Sequence, residues 1–510
     1  MTDIALSDQN LFPSGDGHNR TNIVFHTQGG WFDSMLVLPA NDPSPIGTPA
    51  GTRLVMTFDD NASPGVPRRG MQLAVSQDGF NFTRLSPPPR LPESFADTSV
   101  ALVLDPTSNT FVAYGREDGY PDQHPGVKCG NVTPGFNMQS VRGVRRAASA
   151  PVAAQGHVGP KAVGTPAVAA ATMYSLTNFT INVSAANPLG TVFGFDRLDA
   201  QCVDVYNTAA ITYNSYTAPL LRASDVANVP VSMALTTTAY VAFPSVFQHF
   251  GDAENDGVLD VRLIFSRDGI AFRYVGGDRG AWVPRGPGSR GVSQSMFNAT
   301  EAGGFPAAWD AGLTYMFRGA IALDSETTLA LHYFGMQGSH KWTGAARASG
   351  GRYGVGRVTF RRDGFASFGC DRPALDRVTN ATRPLVARTR AVTLPDPRAC
   401  PGSSGLGLWL NVAASVGGNL TVEVQDAATG LPALPLLTHA NSAGFAGDHL
   451  RAAAVWWPPG LPHSAHVPAS MLPTPLDALG GVGGRPVRLE FSFHPPARIY
   501  AWQFGCMVAM

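Results

Sequence analysis

Apolar positions along the 510-residue chain come in short runs, not in long periodic stretches. RLVMTF (53–58), MQLAVS (71–76), TFVAYG (110–115), AYVAFPSVF (239–247), VRLIFS (261–266), TLALHYFG (328–335) and GVGRVTF (354–360) are rich in Val, Ile, Thr and aromatic residues. Branched and aromatic side chains suit a pleated, half-buried surface. Gly, Pro, Asn and Asp stand between the runs and supply turns. The pattern predicts strands throughout and an all-β fold, as sandwich, barrel or propeller. Two stretches interrupt it. Residues 141–172, biased to Ala, Val, Pro and Gly, read as a long loop or insertion, and 371–402 as a domain linker.

Repeats sharpen this reading. One is a polar–Asp–Gly turn followed by an aromatic: Ser76-Gln77-Asp78-Gly79-Phe80-Asn81-Phe82, Ser266-Arg267-Asp268-Gly269-Ile270-Ala271-Phe272 and the shorter Arg362-Asp363-Gly364-Phe365. Asp-Gly suits a tight hairpin, so these aspartates are expected to be structural. The second repeat is an acid opening a short apolar strand, at Asp33, Asp97, Asp204 and Asp310. A single such acid is accounted for by turn capping. Four in one phase point to a shared rim, because radially repeated sheets start their inner strands around one mouth.

Composition narrows the function. Lys+Arg and Asp+Glu both number 37, so no global positive charge draws the chain to nucleic acid. No apolar run is long enough for a membrane-spanning helix. Of the 37 acids 30 are Asp, a bias towards turns over helices. Five scattered cysteines without a C-x-x-C pair argue against a zinc site and allow one or two disulfides. The N-terminal residues do not read as a signal peptide, yet nine N-x-S/T sequons occur where about three are expected by chance. That excess points to a secretory protein. The acidic loop from Asp252 to Asp260 reads as a hairpin turn, because Leu263 stands where an EF-hand needs Glu. His332 and His340, which flank an aromatic strand end, read as surface groups, with a channel or edge position as the alternative. No cofactor or metal is expected: dinucleotide, phosphate-loop, zinc-protease and serine-elbow motifs are all missing.

Short motifs carry a family likeness across most of the chain. They are Asn41-Asp42-Pro43, Phe95-Ala96-Asp97, the two S-x-D-G-x-x-F segments, Tyr206-Asn207-Thr208, Phe243-Pro244 and the W-D-x-G-x-x-Y strand at 309–315. With these, residues 20–370 resemble the five-bladed β-propeller glycoside hydrolases related to families 32 and 43, in particular a branch with a family 32 N-terminal domain. Residues 403–510 resemble that branch's C-terminal β-sandwich, through Leu410-Asn411-Val412, Val422 to Asp426, Gly447-Asp448 and the two strands ending the chain. The departures are definite. Ser44-Pro45 follows Asn-Asp-Pro where the family has Asn-Gly, and both the R-D-P motif and the E-C motif of the general acid are absent.

The resemblance implies a five-bladed propeller, a linker and a β-sandwich, acting on a carbohydrate. Glycoside hydrolysis needs one carboxyl to protonate the leaving oxygen and another to attack or activate water. On this reading Asp42 is the nucleophile or base, with Asp33 as its rival. Asp97, the positional stand-in for the R-D-P aspartate, stabilises the transition state. Asp204 is the acid, with Glu117 or Asp310 behind it. Trp31, Trp309 and Tyr206 stack on sugar faces. The alternative, which the missing motifs support, is a non-catalytic glycan-binding or cell-surface protein on the same fold. A structural interaction scaffold is a third reading, because propellers host many functions.

Overall fold

In the computed structural model the described residues are 32–38, 48–59, 71–85, 100–105, 110–121, 140–149, 179–181, 190–214, 238–249, 257–277, 279–287, 308–317, 321–322, 327–340, 353–370, 374–375, 382–394, 405–457 and 484–507. Among them the only helical turn is a short 3-10 segment at Val275–Gly277; everything else regular is strand. The chain forms two compact units. One comprises 1–213, 238–321 and 331–358, the other 214–237, 322–330 and 359–510.

The first unit begins with an antiparallel sheet of four consecutive strands, β1 (Phe32–Val37), β2 (Leu54–Asp59), β3 (Met71–Ser76) and β4 (Phe82–Arg84). A second sheet holds β5 (Ala101–Asp105), β6 (Thr110–Pro121), β7 (Ser140–Ala148), β8 (Thr180–Ile181) and β9 (Thr191–Phe193). Further along the chain come β10 (Val203–Asn214), β11 (Thr238–Gln248), β12 (Val258–Val261), β13 (Ile264–Ser266) and β14 (Arg273–Tyr274). Strands β12 and β13 face successive parts of β11, with a break opposite Phe243-Pro244. Pro244 has no N–H for the ladder, and its carbonyl instead accepts from Arg262 N in the break. Next are β15 (Leu313–Met316), β16 (Ile321–Ala322), β17 (Thr328–Met336) and β18 (Tyr353–Arg361); a single parallel contact, Leu259 to Leu313, ties β15 to β12. Each of the seven apolar runs supplies strand residues, VRLIFS being split between β12 and β13 at Arg262-Leu263.

These strand groups stack face to face in chain order. Strand β5 shows how: all five of its residues are buried. Leu102 and Leu104 pack with Val55, Leu73 and Val75 of the first sheet. Ala101 and Val103 point the other way and pack with Val203, Val205, Ala242 and Ile264 of the β10–β14 group. The far face of that group supplies Phe247 and Leu259, which pack with Leu313 and with Tyr315, Phe334 and Met336 of the β15–β18 group. Alternate side chains therefore enter two cores, so the sequence reads as an unbroken apolar run. None of the described sheets closes on itself.

The Asp-Gly repeat closes the same hairpin in two groups, β3–β4 and β13–β14. In each, the aspartate Oδ1 accepts backbone N–H bonds from the residues two and three positions on and one from the Ser hydroxyl. Gly79 and Gly269 have φ of 80° and 68°, values that only glycine adopts without strain. Phe82 then packs on Met56, Phe58 and Ala74, and Phe272 enters the core shared with the second sheet.

The second unit contains β19 (Phe368–Cys370), β20 (Ala374–Leu375), β21 (Thr382–Arg383), β22 (Leu385–Arg388), β23 (Val392–Thr393), β24 (Gly405–Ala414), β25 (Asn419–Asp426), β26 (Gly447–Ala453), β27 (Pro486–His494) and β28 (Ala497–Met507). One sheet runs β19-β28-β24-β26; another centres on β27, flanked by β22, β23 and β25. Leu408, Leu410 and Ile499 of the first share a core with Leu420, Val422, Leu489 and Phe491 of the second.

Two expectations are corrected. Residues 141–148 of the expected insertion belong to β7, which pairs with β6 and buries Val144 and Ala147. Small Ala and Val side chains, read as loop composition, here fit a strand between two cores. Residues 150–172 lie outside the described residues. The expected linker 371–402 likewise supplies β22 and β23, both paired with β27. Leu385, Ala387 and Val392 pack on the core while Val386 and Arg388 face out, an alternation too short to stand out in sequence.

Candidate functional site

The acids of the second repeat stand in sequence at or just before the first strand of a strand group. Asp33 is in β1, Asp97 precedes β5, Asp204 is in β10 and Asp310 precedes β15. His249 N–H, just after β11, donates to the carbonyl of Cys202, just before β10. Strands β10 and β11 are therefore antiparallel. Because β11 is antiparallel to β12 and β12 parallel to β15, β10 and β15 start from the same end of the sheet. The structure thus brings Asp204 and Asp310 to one end. Glu117 lies in β6 beyond Tyr114, the partner of the first residue of β5, and so at the starting end of that strand too.

At that end Asp204 Oδ2 lies 3.2 Å from His249 Nε2, with the two side chains only 4% and 3% exposed. Tyr206, next along the same face of β10, stacks on Phe247 with ring centroids 6.0 Å apart and meets His340 edge-on at 4.5 Å. Phe247 also packs on His249 at 4.3 Å. His340 N–H donates to the carbonyl of Gly257. His340 is therefore half-buried in an aromatic cluster, a correction to the expected surface role. The reason is the turn after β17, which folds the chain back towards β12. Further along β10 and β11, the Thr208 and Ser245 hydroxyls are buried with no hydrogen-bond partner among the described residues. Buried polar groups of this kind call for water or a bound hydroxyl. Cys202, beside Asp204, is in a disulfide.

Asp310 is also buried, and its Oδ2 accepts a hydrogen bond of 2.8 Å from the Tyr333 hydroxyl. Burial, reinforced by this carboxylate, pushes the Tyr333 phenol up to about 12. Trp309 stacks on Tyr333 at 5.7 Å with ring planes 17° apart, and both rings are half-buried. Gly335 makes the arrangement fit, because a Cβ there would come within 2.6 Å of Trp309 and Asp310. The result is a half-exposed aromatic platform with a carboxylate beside it, an arrangement suited to a sugar ring's C–H face and hydroxyls.

The other expected residues are placed only in part. Asp42, Asp97 and Trp31 lie outside the described residues, as does the acidic loop before Gly257. For Asp33 and Glu117 only the backbone position is described. Sequence reading missed His249 and Tyr333. Each follows its strand's alternation onto the face of the acid it contacts, but that signal needs the strand pairing. Among the described residues no group of three or more His, Cys, Asp or Glu could hold a metal ion, and no helix is long and apolar enough to cross a membrane.

No family model matches the chain, and no curated protein does. Among solved structures it is similar to a glycosyl hydrolase from Bacteroides ovatus, at 14% identity over 64% of this chain and 65% of that one, TM-score 0.31. It is similar to a family GH32 β-fructofuranosidase of Bombyx mori at 10% identity over 94% and 92%, TM-score 0.25. It is also similar to a sucrose-6-phosphate hydrolase from Lactobacillus gasseri at 8% identity over 78% and 71%, TM-score 0.27. All three scores are low, so no residue role is taken from these neighbours.

Proposed function

We propose that the chain is a glycoside hydrolase whose four described strand groups belong to a five-bladed β-propeller, followed by a β-sandwich. The propeller takes residues from about 20 to the end of β18, short of the expected 370, and the sandwich gains β19, β22 and β23 ahead of 403. The observation that carries this reading is the repeat of an acid at the start of each group's first strand, in groups stacked face to face. The shared core of the two sheets in the second unit supports the sandwich.

In the proposed mechanism Asp204 and His249 hold a proton between Oδ2 and Nε2 and deliver it to the glycosidic oxygen. Asp42, or Asp33 in its place, attacks the anomeric carbon or takes a proton from the attacking water. Asp97 faces the developing positive charge, and Glu117 and Asp310 stand behind the acid. Trp31, Trp309 and Tyr206 stack on the sugar. The exposed sequon at Asn81 and the Cys202 disulfide suit an oxidising, secretory compartment.

The test is hydrolysis of a panel of aryl glycosides and natural disaccharides by the full chain. Turnover lost in Asp204→Asn but retained in a surface variant supports the reading. A second reading, a glycan-binding protein without turnover, is favoured by the deep burial of the Asp204–His249 pair beside a half-exposed Trp309–Tyr333 platform. Glycan binding without hydrolysis in the same panel selects it.

A further inference from the structure

A cavity of about 210 Å³ lies on the opposite face of β10 and β11 from Asp204 and Phe247. Val203 and Val246, the chain neighbours of those two residues, line it together with Asp199, Arg262, Tyr274 and Arg279. Its polar side is tightly built. The Asp199 carboxylate accepts from the Tyr274 hydroxyl and pairs with Arg279, which also pairs with Asp196. The Arg279 guanidinium lies 4.8 Å from the Tyr274 ring centroid, which fixes the plane of both groups.

Arg262 is different. Its Nε donates to Asp260 at 2.8 Å, while its two Nη groups have no hydrogen-bond partner among the described residues. A guanidinium with an engaged base and an unengaged fork is a rigid donor. A ligand that supplies acceptors is matched to these donors. Both lining guanidinium groups are already paired with carboxylates, Arg262 with Asp260 and Arg279 with Asp196 and Asp199. An anion gains no net attraction there, and a cation offers nothing to the Arg262 donors. A neutral hydroxyl group accepts from a guanidinium and donates to a carboxylate, so it satisfies both. The volume is below the roughly 300–1,000 Å³ of drug-sized sites and equals about seven waters at about 30 Å³ each. That is space for one sugar ring.

We propose that this cavity binds a single neutral sugar residue, separate from the reacting centre and at the same end of the strands. The assignment rests on the carbohydrate reading for its ligand class. It predicts an accessory site that holds a free monosaccharide or one terminal unit of a glycan.

Saturation-transfer NMR on the full chain tests it. The probes are glucose, galactose, mannose, fructose and N-acetylglucosamine, with glucuronate and inorganic phosphate as anions. At least one neutral sugar is expected to bind. Arg262→Met, which keeps the stem and removes the fork, should weaken it at least about tenfold. Ala200→Trp, a substitution at an exposed lining residue, should block it while sparing the interior. Sugar binding unchanged in both variants, binding of the anions alone, or no binding of any neutral sugar overturns the proposal. Glycoside hydrolysis is measured on the same samples. Turnover without cavity binding overturns the cavity alone, and cavity binding without turnover overturns the hydrolase reading alone.

Discussion

Two carboxylate–imidazole pairs, one in each unit, have the same 3.2 Å separation and different surroundings. Asp204 and His249 are enclosed between strand groups among Tyr206, Phe247 and His340. Glu490 and His439 sit on the face of β27 away from the sandwich core, and His439 is 25% exposed. Arg388 and Gln425 also donate to Glu490, while Thr421 meets the other His439 nitrogen. The Glu490 carboxyl loses solvation, yet the Arg388, Gln425 and His439 hydrogen bonds outweigh that and hold it below its ordinary value. The comparison teaches that distance alone does not assign a role. A carboxylate with several donors stays ionised and structural. One enclosed beside an imidazole and aromatic rings is suited to passing a proton.

The largest separation between the pairs is expected when the carboxylates are removed. Asp204→Ala removes the carboxylate beside the enclosed His249 imidazole and should cost about 3–5 kcal/mol of unfolding free energy in urea. Glu490→Ala should cost less, about 1–3 kcal/mol, because water reaches Arg388, whose side chain is 63% exposed. Equal losses would erase the distinction.

Acid titration sharpens it. The Glu490 carboxyl is lowered on folding, so its contribution is present above the unfolded value near 4.5 and is lost as pH falls through the lower folded value. Glu490→Gln should therefore flatten the melting-temperature profile below about pH 4.5 and leave its slope near neutrality unchanged. A variant profile parallel to the wild type contradicts the account.

The smallest effect belongs to the platform. Tyr333→Phe removes one donor to Asp310 and keeps the ring stacked on Trp309. A loss of about 0.5–1.5 kcal/mol is expected in the same urea assay. A much larger loss would mean that the hydroxyl holds more than Asp310.

The same contrast explains what could be read from sequence. The Asp-Gly turns were legible because Ser76, Asp78 and Gly79 satisfy one another within four residues, and Ser266 and Asp268 do so in the second copy. The opening acids were legible as a repeat because each stands within a few residues of the start of an apolar strand. Strands such as β17 and β3 announced themselves through apolar runs. Their burial in two cores, seen at β5, is a property of stacking and not of local sequence. His249 stayed hidden because it meets Asp204 only through the β10–β11 pairing. Tyr333 stayed hidden because the loop before β15 must fold over Gly335 to reach it. The strands within 371–402 were missed because Pro, Arg and Thr crowd the few residues that alternate.

The most direct test of the central claim is a side-by-side assay of Asp204→Asn and Glu490→Gln on whichever glycoside the full chain cleaves. The account predicts that the first loses about 10²–10⁴ in turnover, as removal of a general acid does, while the second stays at the wild-type rate. Turnover that survives in Asp204→Asn, or falls equally in both variants, would contradict the account.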